Sequence, residues 1–203
     1  SVAGSKENIF ELMYDNKYAG HGTNHFCKWF PAVCKDVFGV SFDPWNGSAC
    51  VPQFFYSYDD ADTRKADTWK WGVQRDTQGN IIYDNGKEVN LTPEVWAIEK
   101  PGAGDYQGAR LYEIQPGDIG TSDDNVPFFR LTDAYFIKAE CLLRLGGYKD
   151  ETEQDAADIV TMIRRRAFKN NPEKAVRTIA QLKGGSVYDY GLRETQGVLD
   201  EDK

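Results

Sequence analysis

The 203-residue sequence predicts a mainly helical fold, an amphipathic helix pair joined to an irregular, loop-rich portion that contains hairpins. Two observations carry that prediction. In the second half, apolar residues recur at the 3.6-residue spacing of a helix. In the first, large rings crowd together: residues 1–115 hold all five tryptophans and 19 of the 27 aromatics, punctuated by Gly, Pro, Asn and Asp. We read a single portion over 1–203, with an aromatic loop and hairpin region over 1–115 and a helical region over 116–203.

The two main helices follow from local pattern. Leu131, Ala134, Tyr135, Ala139, Leu142 and Leu145 share one helical period, which Gly146-Gly147 ends. Thr152-Glu153-Gln154-Asp155 resembles a capping box and opens a second helix with the stripe Ala156, Ile159, Val160, Ile163 and Ala167. Arg164, Arg165 and Arg166 suit the negative end of its dipole, and Asn170-Asn171-Pro172 stops it. The short turn between them predicts an antiparallel pair, the unit from which helical-repeat scaffolds are built. A weaker helical stretch follows from Pro172 to Leu182. Cys141, set in the first apolar pattern, is expected as a buried small hydrophobe.

The first half reads in twos. Lys6 to Tyr14 alternates as a strand with both faces usable, and Thr68 to Val73 places Trp69, Trp71 and Val73 on one side. Asp76-Thr77-Gln78-Gly79-Asn80 and Asp84-Asn85-Gly86 flank Ile81-Ile82-Tyr83 and predict hairpin turns, because Asn and Gly tolerate positive φ. No period is sustained between Pro31 and Tyr58, so that stretch is expected as an aromatic loop region.

Composition narrows the function. Leu, Ile, Val and Phe make up about 22% of the chain, just above the roughly 20% below which disorder becomes the default. Lys and Arg number 24 against 32 Asp and Glu, a net charge of −8. That balance repels phosphate backbones and anionic membrane surfaces, which argues against nucleic acid as a partner. No apolar stretch approaches the ~20 residues that cross a bilayer. The start, Ser1-Val2-Ala3-Gly4, reads as a processed or excised terminus.

Metal and catalytic patterns are weak. Cys27, Cys34 and Cys50 lie within 24 residues, and in an oxidising compartment one disulfide among them remains open, its pairing unreadable. His21, His25 and Cys27 with Cys34 match no familiar zinc spacing, and the flanking glycines argue against a helix that would align the two histidines. Asp59-Asp60-Ala61-Asp62 lacks the Gly and closing Glu of a calcium loop, so Asp62 is expected to pair with Arg64 or to cap the following turn. A hydrolase would need a carboxylate pair from Asp59, Asp60, Asp105, Asp118, Asp123 and Asp124, whose spacing in space the sequence does not reveal. Gly102-Ala103-Gly104 lacks a strand-to-helix context, and no G-x-S-x-G elbow occurs. No metal, cofactor or catalytic residue is expected.

Four segments, in order, resemble the SusD/RagB family of bacterial outer-membrane nutrient-binding lipoproteins. Val126 to Arg144 is similar to the family's Pro-x-x-Arg-Tyr-Ala-Asp-x-x-Leu-x-x-Ala-Glu-x-Leu helix, matching at Arg130, Asp133 and Ala139-Glu140, with Leu131 in place of the usual Tyr and Ala134-Tyr135 where two apolar residues are common. Arg164-Arg165-Arg166-Ala167 resembles its Arg-x-Arg-Ala ending. Asp62-Thr63-Arg64 and Lys6-Glu7-Asn8-Ile9-Phe10 resemble its Asp-x-Arg element and its Lys-Glu-x-Ile-Phe strand. Family members are more than twice this length and carry earlier repeat helices, so the chain reads as a middle-to-C-terminal piece. The resemblance implies a SusD-like fold with tetratricopeptide-like helices. It also implies a non-catalytic cell-surface protein that captures oligosaccharides, or in some branches peptides, for a SusC-like TonB-dependent transporter. Membrane attachment would be through a lipid anchor on the missing N-terminal part.

Sugar capture needs flat apolar faces for pyranose C–H groups, with planar polar groups for the hydroxyls. Phe42-Asp43-Pro44-Trp45-Asn46-Gly47-Ser48 supplies both: Trp45 sits between Pro44 and an Asn-Gly turn, with Asp43 and Asn46 adjacent. Tyr18 and Trp29 are the further candidate platforms. The competing assignment is that these rings fill a core short of aliphatic residues. Alternative functions are a RagB-like peptide binder, a helical scaffold that holds a peptide on a concave face, and a glycoside hydrolase.

Overall fold

The computed structural model describes residues 5–13, 17, 30–40, 43–93, 105–111 and 126–184. Along the chain come strand β1 (Asn8–Leu12), a 3-10 turn (Ala32–Cys34) running into helix α1 (Lys35–Phe38), and helices α2 (Pro52–Tyr56) and α3 (Thr63–Thr68). Short strands follow: β2 (Trp69–Lys70), β3 (Gly72–Val73), β4 (Tyr83–Asp84), β5 (Lys87–Glu88), β6 (Asn90–Thr92), β7 (Asp105–Gln107) and β8 (Arg110–Leu111). Strand β9 (Val126–Arg130) leads directly into helix α4 (Leu131–Leu145), followed by α5 (Glu153–Arg165), a 3-10 turn (Pro172–Ala175) and α6 (Ile179–Lys183). Two compact units result. A helical unit takes the described residues up to 17, Asp60–Thr63 and 126–184, and an irregular unit takes the rest.

In the helical unit, α4 and α5 form where the period and caps place them. The Arg130 N–H donates to the Asp133 carboxylate (2.8 Å), closing the first turn of α4. The Thr152 N–H and hydroxyl both donate to Asp155 at the start of α5. Gly146 ends α4 in the left-handed region, and Gly147 follows at φ 109°, where an added Cβ would lie 2.8 Å from the Glu151 carbonyl oxygen. The connection then folds α5 back onto α4. Ala139 and Ala156 meet at the seam with Leu142, and Leu143, Ile159 and Val160 pack around them. Small residues at that contact bring two helical backbones close, so added bulk would force them apart.

The arginines lie at the C-terminal end of α5 as the dipole favours, and two of them also make specific contacts. Arg164 lies over the Phe168 ring (4.6 Å) and donates to the carbonyls of Ala175 and Lys174, tying α5 to the turn that follows. Arg166 reaches Glu7 (3.3 Å), which also accepts the Thr132 hydroxyl (2.7 Å), and the Leu131 N–H donates to the Glu7 carbonyl (2.7 Å). Three segments singled out by their sequence thus converge on one ionic knot. The hydrogen bond from Thr132, with help from the Arg166 charge, holds the Glu7 carboxyl below its ordinary value.

Two expectations need correction here. Cys141 is exposed rather than buried, because it lies on the side of α4 turned away from the Ala139 seam. The strand expected over Lys6–Tyr14 is the shorter β1, and its antiparallel partner is β9, the segment just before α4. Phe10 and Phe128 pack edge to face across that ladder at 5.9 Å.

The irregular unit is held by two clusters rather than one period. Phe30, Cys34, Val40, Ile82, Val89 and Leu91 form the first, and Cys50, Phe55, Trp69 and Ala109 the second. Cys34 and Cys50 are therefore separate buried thiols, neither in a disulfide, and burial pushes the pKa of each up to about 12. Cys27 lies outside the described residues. The Asp84-Asn85-Gly86-Lys87 hairpin forms as expected, with Asn85 at φ 48°. Asp76 organises the earlier turn by accepting the N–H groups of Gln78 and Asn80, each at 2.8 Å. Between Pro31 and Tyr58 the loop expectation is only partly met, since α1 and α2 interrupt it. The predicted Thr68–Val73 strand is interrupted at Trp71, just before Gly72 at φ 76°, so β2 pairs with β8 and β3 with β6.

Candidate functional site

The segment 43–50 runs without regular structure, yet its backbone is pinned at several points. Pro44 is buried, which seats the chain just before Trp45. Asn46 adopts φ 53°, a left-handed conformation that Asn tolerates better than most residues. Its N–H donates to the Phe30 carbonyl at 2.8 Å. The Arg110 guanidinium, only 4% exposed, donates through Nη1 to Asn46 Oδ1 (2.8 Å) and to the Ser48 carbonyl (2.9 Å). Its Nε reaches the Gly108 carbonyl at 3.2 Å. Next door, the Cys50 N–H donates to the Ala109 carbonyl at 2.8 Å.

Trp45 is the ring that this anchoring displays. It is 64% exposed, while the residues on either side are fixed to the core cluster and to a buried cation. A buried guanidinium is strongly disfavoured unless its donors are used, and here Nη1 is used on this loop. A ring held in this way loses little further freedom when a ligand stacks on it.

The polar candidates have divided roles. Asn46 keeps its side-chain oxygen engaged with Arg110, so it anchors the loop instead of offering that oxygen outward. Asp43 forms an exposed ion pair with Lys35 at 3.2 Å, which places both a carboxylate and an ammonium on the approach to the loop. Both groups stay hydrated, and such a pair is readily exchanged for hydrogen bonds to a ligand. Tyr18 and Trp29 lie outside the described residues. Arg110 carries no local signal in the sequence; only the Gly-Ala pair before it hints at close packing.

Among the described residues the other patterns gather no metal or carboxylate site. Among the described residues no group of three or more His, Cys, Asp or Glu side chains is placed to hold a metal ion; His21, His25 and Cys27 lie outside them. Asp59 and Asp60 are exposed, Asp62 is buried immediately before α3, and Asp118, Asp123 and Asp124 lie outside the described residues. No described helix is long and apolar enough to cross a membrane.

Known proteins now locate the chain. A family model described as the SusD family matches residues 6–184. A SusD superfamily protein from Bacteroides fragilis superposes with a TM-score of 0.56 at 18% identity, covering 95% of this chain and 36% of that one. Another from Parabacteroides distasonis gives a TM-score of 0.51 at 18% identity, covering 79% of this chain and 31% of the other. The chain thus spans about a third of the length of these solved structures. No curated protein sequence matches it. With its four ordered segments, its helix pair and a match running through both units, this chain belongs to the SusD family.

Proposed function

We propose that the irregular unit captures a glycan by stacking a pyranose ring on Trp45, and that no bond is made or broken there. The observation that carries this reading is a large ring left open to solvent on a loop whose backbone is fastened to buried groups. An aromatic exposed by accident has no need of such fastening. The stacked C–H face supplies apolar contact, and the Lys35 and Asp43 head groups beside the loop supply hydrogen bonds to hydroxyls.

Membership of the SusD family supports the wider role. By analogy with the family, the captured oligosaccharide would pass to a SusC-like TonB-dependent transporter at the outer membrane, with attachment through a lipid anchor. Capture before transport requires reversible binding, which suits a single stacked ring better than an enclosed cavity.

Affinity gels and calorimetry against a soluble α-glucan, β-glucan, xylan and mannan provide the test. Wild-type protein is expected to be retarded by at least one of them, and Trp45→Ala to lose roughly tenfold or more in affinity. Steady disappearance of a glycan without retention would favour the hydrolase. Binding of peptides but of no sugar would favour the RagB-like alternative.

A further inference from the structure

The irregular unit displays a second tryptophan by the same device. Trp71 is 37% exposed and precedes Gly72, whose φ of 76° is a conformation that side chains resist. Nothing lies within 4 Å of a Cβ built on Gly72, so the glycine serves the backbone turn and not a tight fit. That turn breaks the strand between Trp69, which is buried, and Val73. Gln74, 4% exposed, donates its side-chain amide to the carbonyls of Gly72 (2.8 Å) and Trp71 (3.3 Å). Two polar side chains of this unit are buried among its described residues, Gln74 and Arg110. Gln74 binds the carbonyls of Trp71 and Gly72, Arg110 binds the Asn46 side chain and the Ser48 carbonyl, and each of the two exposed tryptophans adjoins a left-handed residue.

Trp71 also has a companion. It packs edge to face on buried Phe55 with centroids 5.0 Å apart, and Tyr56, 53% exposed, packs on the same ring at 5.4 Å. Lys65 braces Phe55 further, its Nζ 5.2 Å from the ring centre. Two exposed rings on one shared brace give neighbouring apolar faces on which linked sugars can stack.

We propose that Trp71 and Tyr56 form a second glycan-binding platform, separate from the Trp45 loop. It rests on the glycan reading above and extends it from one subsite to two. A chain with two platforms holds a polysaccharide more tightly than either platform alone, because the second contact forms at high effective concentration.

The full chain labelled with 5-fluorotryptophan provides the test, with resonances assigned by Trp45→Phe and Trp71→Phe and titrated with oligosaccharides of the four glycan classes. The expected result is that the Trp71 resonance moves with saturation, and still moves in Trp45→Ala. Tyr56→Ala, which leaves the strand untouched, is expected to weaken that response roughly tenfold. Movement of Trp45 with Trp71 still would overturn the second platform and leave the first standing. Silence of both resonances against all four classes would overturn the glycan reading itself, and this proposal with it.

Discussion

The helical unit and the irregular unit are stabilised by different means. In the first, two helices of 15 and 13 residues meet along a seam of alanines, and each helix closes its own ends. In the second, strands of two or three residues contribute few ladder bonds, and single buried polar groups hold the chain in place. The helical unit spreads its stability over many small contacts. The irregular unit adds to its two apolar clusters a few buried polar ties, and two of these fasten the backbone near exposed tryptophans. A frame with many replaceable contacts and a display region with few irreplaceable ones is the arrangement expected when function resides in the loops.

Replacing Arg110 with Met should break the irregular unit most severely. It leaves Asn46 Oδ1 and the carbonyls of Ser48 and Gly108 without their buried donor, at about 3 kcal/mol. Denaturant midpoints would register that loss, and glycan affinity should fall at least as far as in Trp45→Ala although every tryptophan remains. Ala139→Leu should cost the helical unit about 1–3 kcal/mol by prying α4 from α5. Urea unfolding checks this, and retained glycan affinity would show that the frame and the display region can be perturbed separately.

These two sites also mark what could be read in advance. The helix at Leu131–Leu145 was legible because period, capping residue and terminal glycines all act within the helix itself. The Asp84–Lys87 hairpin was legible for the same reason. Arg110 was not, since its partners lie 62 and 64 residues earlier and no local pattern announces them. The Trp69–Val73 run misled because alternation does not reveal that Gly72 turns the backbone. Cys141 misled because one apolar stripe was wider than the seam that α5 covers. Trp45 was legible as a candidate but not as an anchored one; Asn-Gly suggested a turn, and the clamp came from elsewhere in the chain.

Smaller effects sharpen the contrast. Cys141 should react with a thiol reagent in the native state, whereas burial and the raised values near 12 should protect Cys34 and Cys50 until unfolding. Peptide mapping after timed labelling distinguishes them. Glu7 offers a pH effect in the helical unit alone. Its carboxyl is held below its ordinary value of 4.5, so its contribution is present above that value and disappears as pH falls through the lower, folded one. Because the pair with Arg166 is exposed, the change should stay under ~1 kcal/mol. Comparing unfolding midpoints at neutral and acid pH, Glu7→Gln should lose less on acidification than wild type.

Contact between sugar and ring is the claim on which the functional reading depends, and intermolecular nuclear Overhauser effects observe it directly. With the tightest-binding oligosaccharide of the panel, cross-peaks should join pyranose C–H protons to the indole protons of Trp45. A bound oligosaccharide that shows contacts elsewhere on the chain and none to that indole would contradict it.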